Sequence, residues 1–315
     1  MDKEKILIEI ASYCDKELLN TVNSAIIQAE YPDRIHFAIC YQGDDLEDYY
    51  ELKKIDNCKI IHLKQSEARG SVYARYLCQS LIGDEKYIYQ VDSHMRFVKH
   101  WDTKIINQLL SLNDKKAILS GYPPAITPEM LTAPLDDKIF DNPGYGTVMY
   151  AKDFRTDVDD SYFISCASKL ITKDNPLAYK KNAFIASGNF FTFSLAHKEV
   201  RYDTSMYFYG DEMPMSIRLY TYGWNFYNPG ESFVYHLYKK EKSKFPGLKH
   251  DTMINENKRL KTLLGITKDD VIPPEFGLGK VRSIEDYEKT FGIDFKNKKI
   301  SDLAKSGDFE NVKGN

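Results

Sequence analysis

The chain has 315 residues, more than a single compact core usually organises, so we expect one large domain with an appended lobe, or two domains. Hydrophobic residues make up 43% and charged residues 28%, and 43 basic against 46 acidic residues give a net charge of −3. This composition lacks the basic excess of proteins that bind nucleic acid or membrane surfaces, so neither is an expected partner.

The cysteines and the N-terminus are typical of a protein from a reducing compartment. The five cysteines are odd in number and form no CxxC pair, which argues against a disulfide scaffold or a cysteine-ligated zinc. The N-terminal MDKEKILIEIAS leads straight into a predicted strand and lacks the apolar core of a signal peptide. No apolar stretch approaches the roughly 20 residues of a membrane helix. We therefore expect a cytoplasmic protein without a transmembrane segment.

Strands and helices alternate through the first third of the chain. The first strand is followed by a helix that Asp15 can cap, and a further helix is predicted from Arg69 to Leu81. The predicted strands are apolar on both faces and cover residues 5–12, 35–40, 58–63 and 87–91. This alternation predicts an α/β fold with a mostly parallel central sheet covered on both sides.

Polar residues stand at three of the predicted strand ends. Ligands of parallel sheets bind beyond the carboxyl ends of the strands, and these ends share one edge of the sheet. The sequence therefore predicts a single cleft bordered by Ser12, Tyr13, Tyr41, Gln42, Asp92 and His94.

The second half of the chain gives a less regular pattern. Residues 122–182 are predicted to be loops over the cleft, because Pro and Gly interrupt them repeatedly. Residues 183–194 are predicted as a strand bent at Ser187-Gly188, and 211–223 as a helix that stops at Gly223. Two short strands around a Pro-Gly turn are predicted at 224–238, and a short helix at 283–292.

The segment KYIYQVDSHMRF contains a predicted strand that stops on Asp92-Ser93-His94. A carboxylate and an imidazole two residues apart can point together at one ion, and this pair suits Mn²⁺ and related cations. Such an ion would bridge a diphosphate and neutralise its charge as it leaves. The alternative is a simple turn in which Asp92 bonds the backbone, since so short a motif often occurs without a metal.

Arginines accompany the start of the helix before this strand. Arg69-Gly70-Ser71 opens the helix and Arg75 lies one turn further on. A helix N-terminus with two guanidinium groups nearby can clamp a phosphate. Taken alone, these residues somewhat favour a solvated helix start with an ordinary surface arginine.

Several segments together resemble family 60 glycosyltransferases of the Skp1-hydroxyproline N-acetylglucosaminyltransferase type. A more distant similarity runs to the polypeptide N-acetylgalactosaminyltransferases, which share the arginine-bearing helix, the D-S-H strand end, a Gly-rich turn and a late histidine. The matching segments cover the chain to about residue 295: IASYCDKELLNTVNSAIIQAEYPDRIHFAICYQ, ARGSVYARYLCQSLIGDEKYIYQVDSHMRFVKHWD, IASGNFFTFS, FYGDEMPMSIRLYTYGWNFYNPGESFVYHLY and FGLGKVRSIEDYEKTFGIDF. The resemblance implies a GT-A fold, which is a Rossmann-like nucleotide-sugar-binding fold. It makes residues 1–240 the catalytic domain and 241–315 a mainly helical extension whose last residues are expected to be disordered.

The resemblance implies roles for the matching residues. Asp92 and His94 match the D-x-H metal motif, and His236 matches the histidine that supplies the third metal ligand. Asp92 is also implied to touch the donor and to be catalytic. Without the resemblance, a histidine such as His236 in FVYHLY is more often a strand residue whose ring nitrogens are hydrogen-bonded within the protein. The implied donor-binding residues are Ser12, Tyr13, Gln42, Arg69, Arg75, Asp92, Ser93, Gly188 and Asn189.

Three further residues are open to two interpretations. Asp211 and Glu212 match the acidic helix start of the family, where they either cap the helix or act as catalytic residues that hold a sugar hydroxyl or orient the acceptor. Trp224 is either a donor-stacking surface or a core residue. The family retains anomeric configuration, and we find no clear carboxylate nucleophile, so we expect front-face attack by the acceptor hydroxyl.

The expected function is therefore a metal-dependent retaining transfer of N-acetylglucosamine from UDP-GlcNAc, with Mn²⁺ or Mg²⁺ as cofactor. The expected acceptor is a protein hydroxyl of the Ser, Thr or hydroxyproline type, although the residues do not identify it. Alternatives are transfer from another UDP-sugar (GalNAc, Glc or Gal) to build a polysaccharide, a metal-dependent nucleotidyltransferase or phosphate-ester hydrolase, and a lectin-like module without catalysis.

Overall fold

Runs of apolar, β-branched residues form the central strands of the protein, because both faces of these strands are covered by helices. The computed structural model describes residues 4–171, 181–238 and 250–309. Its strands are β1 (Ile6–Tyr13), β2 (Ile35–Gln42), β3 (Cys58–Leu63), β4 (Tyr87–Asp92), β5 (Met95–Phe97), β6 (Ala117–Ser120), β7 (Gly144–Tyr145), β8 (Thr147–Phe154), β9 (Ile164–Leu170), β10 (Asn189–Phe193), β11 (Asn225–Tyr227), β12 (Glu231–Ser232), β13 (Val234–His236), β14 (Ile293–Asp294) and β15 (Lys299–Ile300).

The helices pack around these strands. They are α1 (Leu18–Gln28), α2 (Glu47–Leu52), α3 (Gly70–Gln79), α4 (Trp101–Ser111), α5 (Pro128–Thr132), α6 (Leu195–Glu199), α7 (Met213–Thr221), α8 (His250–Leu263), α9 (Ile284–Phe291) and α10 (Asp302–Ser306). Short 3₁₀ helices cover Pro32–Arg34, Gln65–Glu67, Lys138–Phe140 and Pro274–Phe276. Among the helices of the described ranges, none combines the length and the apolar composition that crossing a bilayer requires.

Seven strands form the main sheet, in the order β11-β6-β10-β4-β1-β2-β3. Strand β10 runs antiparallel to its neighbours β4 and β6, and the other pairs in this sheet are parallel. The α/β prediction with a mostly parallel sheet is confirmed. The carboxyl ends of β1, β2 and β4 lie side by side at one edge, because Ala11 pairs with Asp92 and Tyr13 with Gln42.

The alternation of side chains along β1 explains why both faces need apolar residues. Ile6, Ile8 and Ile10 pack in one buried cluster with α1 and Trp101, whereas Leu7 packs on the other face against α3. A third and larger cluster joins Ile118 and Trp224 to Tyr287 and other residues of the C-terminal part. Residues on both sides of position 240 therefore share one core. The division at 240 stays a prediction, and the expected disordered end falls mostly on residues 310–315, outside the described ranges.

Three predictions of local structure were wrong. The stretch predicted as loops over the cleft contains α5, β7 and the antiparallel hairpin of β8 and β9, although residues 172–180 lie outside the described part. Both hairpin strands mix polar with apolar residues, and β8 follows a Pro-rich segment, so they lack the continuous apolar run of the central strands. The strand predicted from residue 183 begins only at Asn189, because Ser187 and Gly188 turn the chain just before it.

The predicted strand pair around the Pro-Gly turn is three short strands in three different sheets. β11 extends the main sheet, β12 pairs with β7, and β13 pairs with β5. The turn at Pro229-Gly230 separates β11 from the other two. This division carries His236 away from the main sheet and towards the end of β4.

Candidate functional site

The three predicted metal ligands lie together at the carboxyl edge of the sheet. Asp92 ends β4, and His94 stands in the turn into β5. Strand β13 pairs antiparallel with β5 and places His236 opposite Met95. As a result, one ligand atom from each of Asp92, His94 and His236 lies within 4.8 Å of the others. The two imidazole rings are 4.6 Å apart between centroids.

The chemistry of this cluster fits a divalent cation. His236 Nε2 lies 3.1 Å from Asp92 Oδ2, and both histidine side chains are only 13% exposed. Within the described residues, the buried Nδ1 of His236 has no hydrogen-bond partner. One carboxylate and two imidazoles form a mixed oxygen and nitrogen donor set, which Mn²⁺ and related ions accept.

Asp15 orients the histidine of this cluster, a role that the sequence reasoning missed. Its Oδ2 lies 2.9 Å from His94 Nδ1 and accepts a hydrogen bond of 2.7 Å from the hydroxyl of Ser93. A carboxylate on one ring nitrogen leaves Nε2 of His94 for a metal and fixes the ring orientation. The position of Asp15 just beyond the end of β1 was the available signal, but we interpreted it as a helix cap. Ser93, predicted to bind the donor, is buried and engaged with Asp15.

Arg75 joins the metal cluster to a pair of acids. Its Nη2 donates to Asp92 Oδ1 at 3.0 Å, and its Nε lies 3.8 Å from Asp211 Oδ2. Burial alone would raise the pKa of Asp92, but the hydrogen bond with His236 and the charge of Arg75 hold that pKa well below its usual range. Within the described residues, Nη1 of the buried Arg75 has no partner, so it can donate to a ligand. Arg69 is instead exposed, with its guanidinium 5.0 Å from the ring of Tyr73.

Asp211 and Glu212 lie just before α7 and face the cleft rather than capping the helix. Asp211 Oδ2 accepts from the hydroxyl of Ser71 at 3.0 Å. Glu212 Oε2 accepts from the hydroxyl of Tyr122 at 2.9 Å, and its Oε1 from the backbone N–H of Ser187 at 3.3 Å. Burial raises the pKa of Asp211, and burial together with the charge of Asp211 raises the pKa of Glu212. No side-chain cap is formed at the start of α7.

Two hollows meet at the contact between Asp15 and His94. The first has a volume of about 530 Å³, and both acids, Arg75 and His94 line it. Its opposite wall comes from β9 and the segment before α7. The second has a volume of about 430 Å³ at the ends of β1 and β2. Its lining residues are Cys14, Asp15, Lys16, Tyr41, Gly43, Asp44, Asp45, Glu47, Asp48 and Gln65.

The remaining predicted donor residues take different positions. Gly188 faces the cluster so closely that a Cβ there would lie 2.4 Å from Asp92 Oδ2. Asn189 is buried and bonds the hydroxyl of Tyr89 and the carbonyl of Gly121.

The predicted donor residues at the ends of β1 and β2 lie next to the second hollow but are not among its lining residues. Gln42 and Ser12 are buried and bonded to each other, and Tyr13 accepts from Gln65. Trp224 is fully buried with its indole N–H on Glu199, which leaves no face of its ring open to a ligand.

Comparisons with known proteins agree on one class. A family model described as "Glycosyltransferase (GlcNAc)" matches residues 47–297. No curated protein matches the chain. Among solved structures, GalNAc-T7 with UDP, GalNAc and Mn²⁺ is 13% identical with a TM-score of 0.56, over 90% of this chain and 54% of that one. S. aureus TarS is 12% identical with a TM-score of 0.50, over 98% of this chain and 46% of that one.

The chain thus spans about half the length of each of these two structures. At such low identity the similarity shows the fold alone. That fold is of the GT-A type.

Proposed function

The chain belongs to the Glycosyltransferase (GlcNAc) family, and we propose that it is a metal-dependent, retaining enzyme that transfers N-acetylglucosamine from UDP-GlcNAc to a protein hydroxyl. The observation that carries this proposal is the meeting of Asp92, His94 and His236 around one point at the end of β4. The family description supports the donor sugar. Membership of family 60 and a cytoplasmic location are part of the proposal.

The two hollows suit the two ends of a nucleotide sugar. We place the uridine in the hollow at the ends of β1 and β2, where carboxylates such as Asp45 and Asp48 can accept from its N–H and hydroxyl groups. The diphosphate lies at the junction, beside the unpartnered N–H of Arg75. Asp92, His94 and His236 would hold Mn²⁺ or Mg²⁺ there, and the bound ion would neutralise the diphosphate charge. GalNAc-T7, which shares the fold, contains UDP and Mn²⁺, and this supports a nucleotide and a divalent cation as ligands.

The sugar occupies the hollow of Arg75, Asp211 and Glu212. Both acids already accept hydrogen bonds from the protein, and their pKa values are raised, so neither is suited to be a nucleophile. We assign them to holding sugar hydroxyls. The acceptor oxygen then attacks the anomeric carbon from the face that the diphosphate leaves. The bond from this carbon to the phosphate oxygen breaks, the bond to the acceptor oxygen forms, and the hydroxyl proton passes to the departing phosphate.

The direct test is incubation with Mn²⁺ and a panel of UDP-GlcNAc, UDP-GalNAc, UDP-Glc, UDP-Gal and CTP. We expect UDP release that is selective for UDP-GlcNAc, is abolished by EDTA and is lost in His236→Asn. His100→Asn is a matched control, because His100 is exposed and has a left-handed backbone that Asn also tolerates. Pyrophosphate released from CTP, or a rate that EDTA does not change, would overturn the proposal.

The acceptor requires a separate measurement. Labelled UDP-GlcNAc added with the protein to a lysate should give label on Ser, Thr or hydroxyproline residues of a protein, read by mass spectrometry. Label found only in a polysaccharide would retain the transferase and reject the protein acceptor.

A further inference from the structure

Two adjacent residues of α8 bind the two segments that form the outer walls of the sugar hollow. The first is Glu256, which is 1% exposed. Its Oε1 accepts the backbone N–H groups of Tyr207, Phe208 and Tyr209 at 2.6, 2.8 and 3.1 Å. Hydrogen bonds to an ionised acceptor are about twice as strong as neutral ones, so one buried carboxylate fixes three consecutive peptide groups.

This segment leads directly to the two acids of the hollow. Phe208 and Tyr209 line the hollow, and Asp211 and Glu212 follow them. On its other side the segment packs on the start of α3, where the carbonyl of Tyr207 accepts from Val72. A Cβ at Gly70, whose φ is +87°, would lie 2.0 Å from that carbonyl oxygen. The segment is therefore enclosed between α3 and α8.

The second residue, Asn257, binds the adjoining segment of the wall, whose Phe163 packs against Tyr209 with ring centroids 5.0 Å apart. Its Oδ1 accepts the N–H of Tyr162 at 2.8 Å, and its Nδ2 donates to the carbonyl of Asp160 at 3.0 Å. This turn leads into Phe163 and Ile164 of β9, which line the hollow.

Ion pairs of α8 reinforce both attachments. The buried Arg259 bonds Asp203 at 2.8 Å, and Lys261 pairs with Asp160. Because both segments are attached to neighbouring residues of one helix and also contact each other, α8 fixes where this wall of the hollow stands.

We propose that Glu256 and Asn257 are positioning residues, which hold the two adjoining wall segments of the sugar hollow in the place that transfer requires. They act through Phe208, Tyr209 and the β9 wall and are not among the lining residues of the hollow. This inference rests on the proposed function, since it assigns the hollow to the sugar and acceptor. The inference implies that residues beyond position 250 contribute to catalysis.

The test compares Glu256→Gln and Asn257→Asp with the wild type. Glu256→Gln keeps the shape but removes the charge that binds three N–H groups, and Asn257→Asp replaces the donor to Asp160 by a carboxylate. We expect kcat for UDP release from UDP-GlcNAc to fall at least tenfold in each, with KM within about twofold. UDP with Mn²⁺ should still bind with a stoichiometry near one, which shows that the whole sample is folded.

Hydrogen exchange distinguishes local loosening of the two wall segments from a general loss of stability. Exchange should accelerate at residues 207–209 in Glu256→Gln and across the turn 160–163 in Asn257→Asp, where the carbonyl of Asp160 loses its donor and faces a carboxylate, with the sheet strands unchanged. Glu275→Gln is the matched control, since Glu275 is an exposed glutamate of the same part.

Two results separate this proposal from the proposed function. A kcat equal to that of Glu275→Gln, or exchange that accelerates everywhere, would overturn the positioning roles. A wild type that releases no UDP would overturn the proposed function instead, and the exchange pattern alone would then decide whether α8 holds the two wall segments.

Discussion

At the scale of the residue, the contact between Asp15 and His94 connects the two hollows. Asp15 lines the hollow at the ends of β1 and β2, and its Oδ2 lies 2.9 Å from the Nδ1 of His94, a proposed metal ligand. The same oxygen accepts from Ser93, which holds the D-x-H turn in place. A single carboxylate therefore fixes the histidine tautomer and the local backbone.

The first prediction concerns this carboxylate. Asp15→Asn removes the charge that orients His94, so we expect Mn²⁺ affinity to fall about 10–100-fold, as is typical for such partners of metal ligands. Isothermal titration with Mn²⁺ in the presence of UDP measures it. Asp33→Asn is an exposed control that should bind like the wild type. Equal affinities of the two variants would show that Asp15 does not orient the ligand.

The second prediction concerns Glu212 and the pH dependence of stability. Burial and the charge of Asp211 raise the pKa of Glu212 from 4.5 to about 8. A carboxyl with a raised folded-state pKa contributes stability below its unfolded-state pKa, and this contribution is lost as the pH rises towards the folded-state value. Glu212→Gln should therefore stabilise the metal-free protein at pH 8.5 by about 1–2 kcal/mol, less than the full shift because the side chain is partly exposed.

The measurement is the Tm of both proteins with a chelator at pH 5.5 and 8.5. We expect Glu212→Gln to melt a few degrees higher at pH 8.5, with a smaller difference at pH 5.5, because the loss of stability begins near the unfolded-state pKa. In the variant the amide oxygen still accepts from Ser187 and the amide nitrogen donates to the oxygen of Tyr122, whose own hydroxyl hydrogen can turn into the hollow that Tyr122 lines. A variant that is less stable than the wild type at pH 8.5 would contradict the raised pKa. Activity should nevertheless be lost, which separates stability from function at this position.

At the scale of the element, the turn before β10 determines how closely the chain approaches Asp92. Gly188 stands where a Cβ would lie 2.4 Å from Asp92 Oδ2 and 3.3 Å from its Oδ1. Only glycine fits there without displacing the metal-ligand carboxylate. Gly188 is needed here because it has no side chain. Its neighbour Asn189 instead forms hydrogen bonds inside the sheet.

The third prediction is that Gly188→Ala displaces Asp92 and lowers Mn²⁺ affinity by at least tenfold, with a matching loss of UDP release. Gly83→Ala is the control, because Gly83 lies before the start of β4, at the end of the strand away from Asp92, and a Cβ there would lie 3.2 Å from Glu85 Oε2 and Lys59 Nζ. Titration with Mn²⁺ and UDP measures both. Wild-type affinity in Gly188→Ala would mean that Asp92 is not held against this turn.

At the scale of the whole molecule, the C-terminal part completes the core. Tyr287 is fully buried and donates to the carbonyl of Ala183 at 2.6 Å, and Arg282 donates to the carbonyl of Trp224. Trp224 itself shares a cluster with Leu260 and Phe309. The described residues beyond position 250 therefore cover apolar side chains that the preceding part of the chain would otherwise expose.

The fourth prediction is that a chain ending at residue 240 does not fold cooperatively. Burial of apolar area is the main favourable term in folding, and this truncation exposes the shared cluster. Circular dichroism on heating and limited proteolysis measure it, with a chain that ends at residue 309 as the control, since it keeps Phe309 in the cluster. A cooperative transition and Mn²⁺ binding in the shorter chain would instead support an independent domain at 1–240.

The sequence predicted the central strands closely, because strands buried on both faces must be continuously apolar. The strand from Cys58 to Leu63 was located to the residue. It did not predict the hairpin of β8 and β9, whose strands mix polar with apolar residues. It also failed to assign Asp15, since a carboxylate beyond a strand end is equally compatible with a cap.

The sequence by itself determined the mostly parallel α/β sheet and the polar residues at its carboxyl edge, because both follow from periodicity and strand direction. Only the tertiary structure decided that His236 reaches Asp92 and His94, that Trp224 is inside the core, and that Glu256 and Asn257 of α8 hydrogen-bond residues 207–209 and 160–162. Those facts depend on pairings between residues far apart in the chain, such as β5 with β13. Such pairings minimise the free energy of the whole molecule, and no local pattern records them.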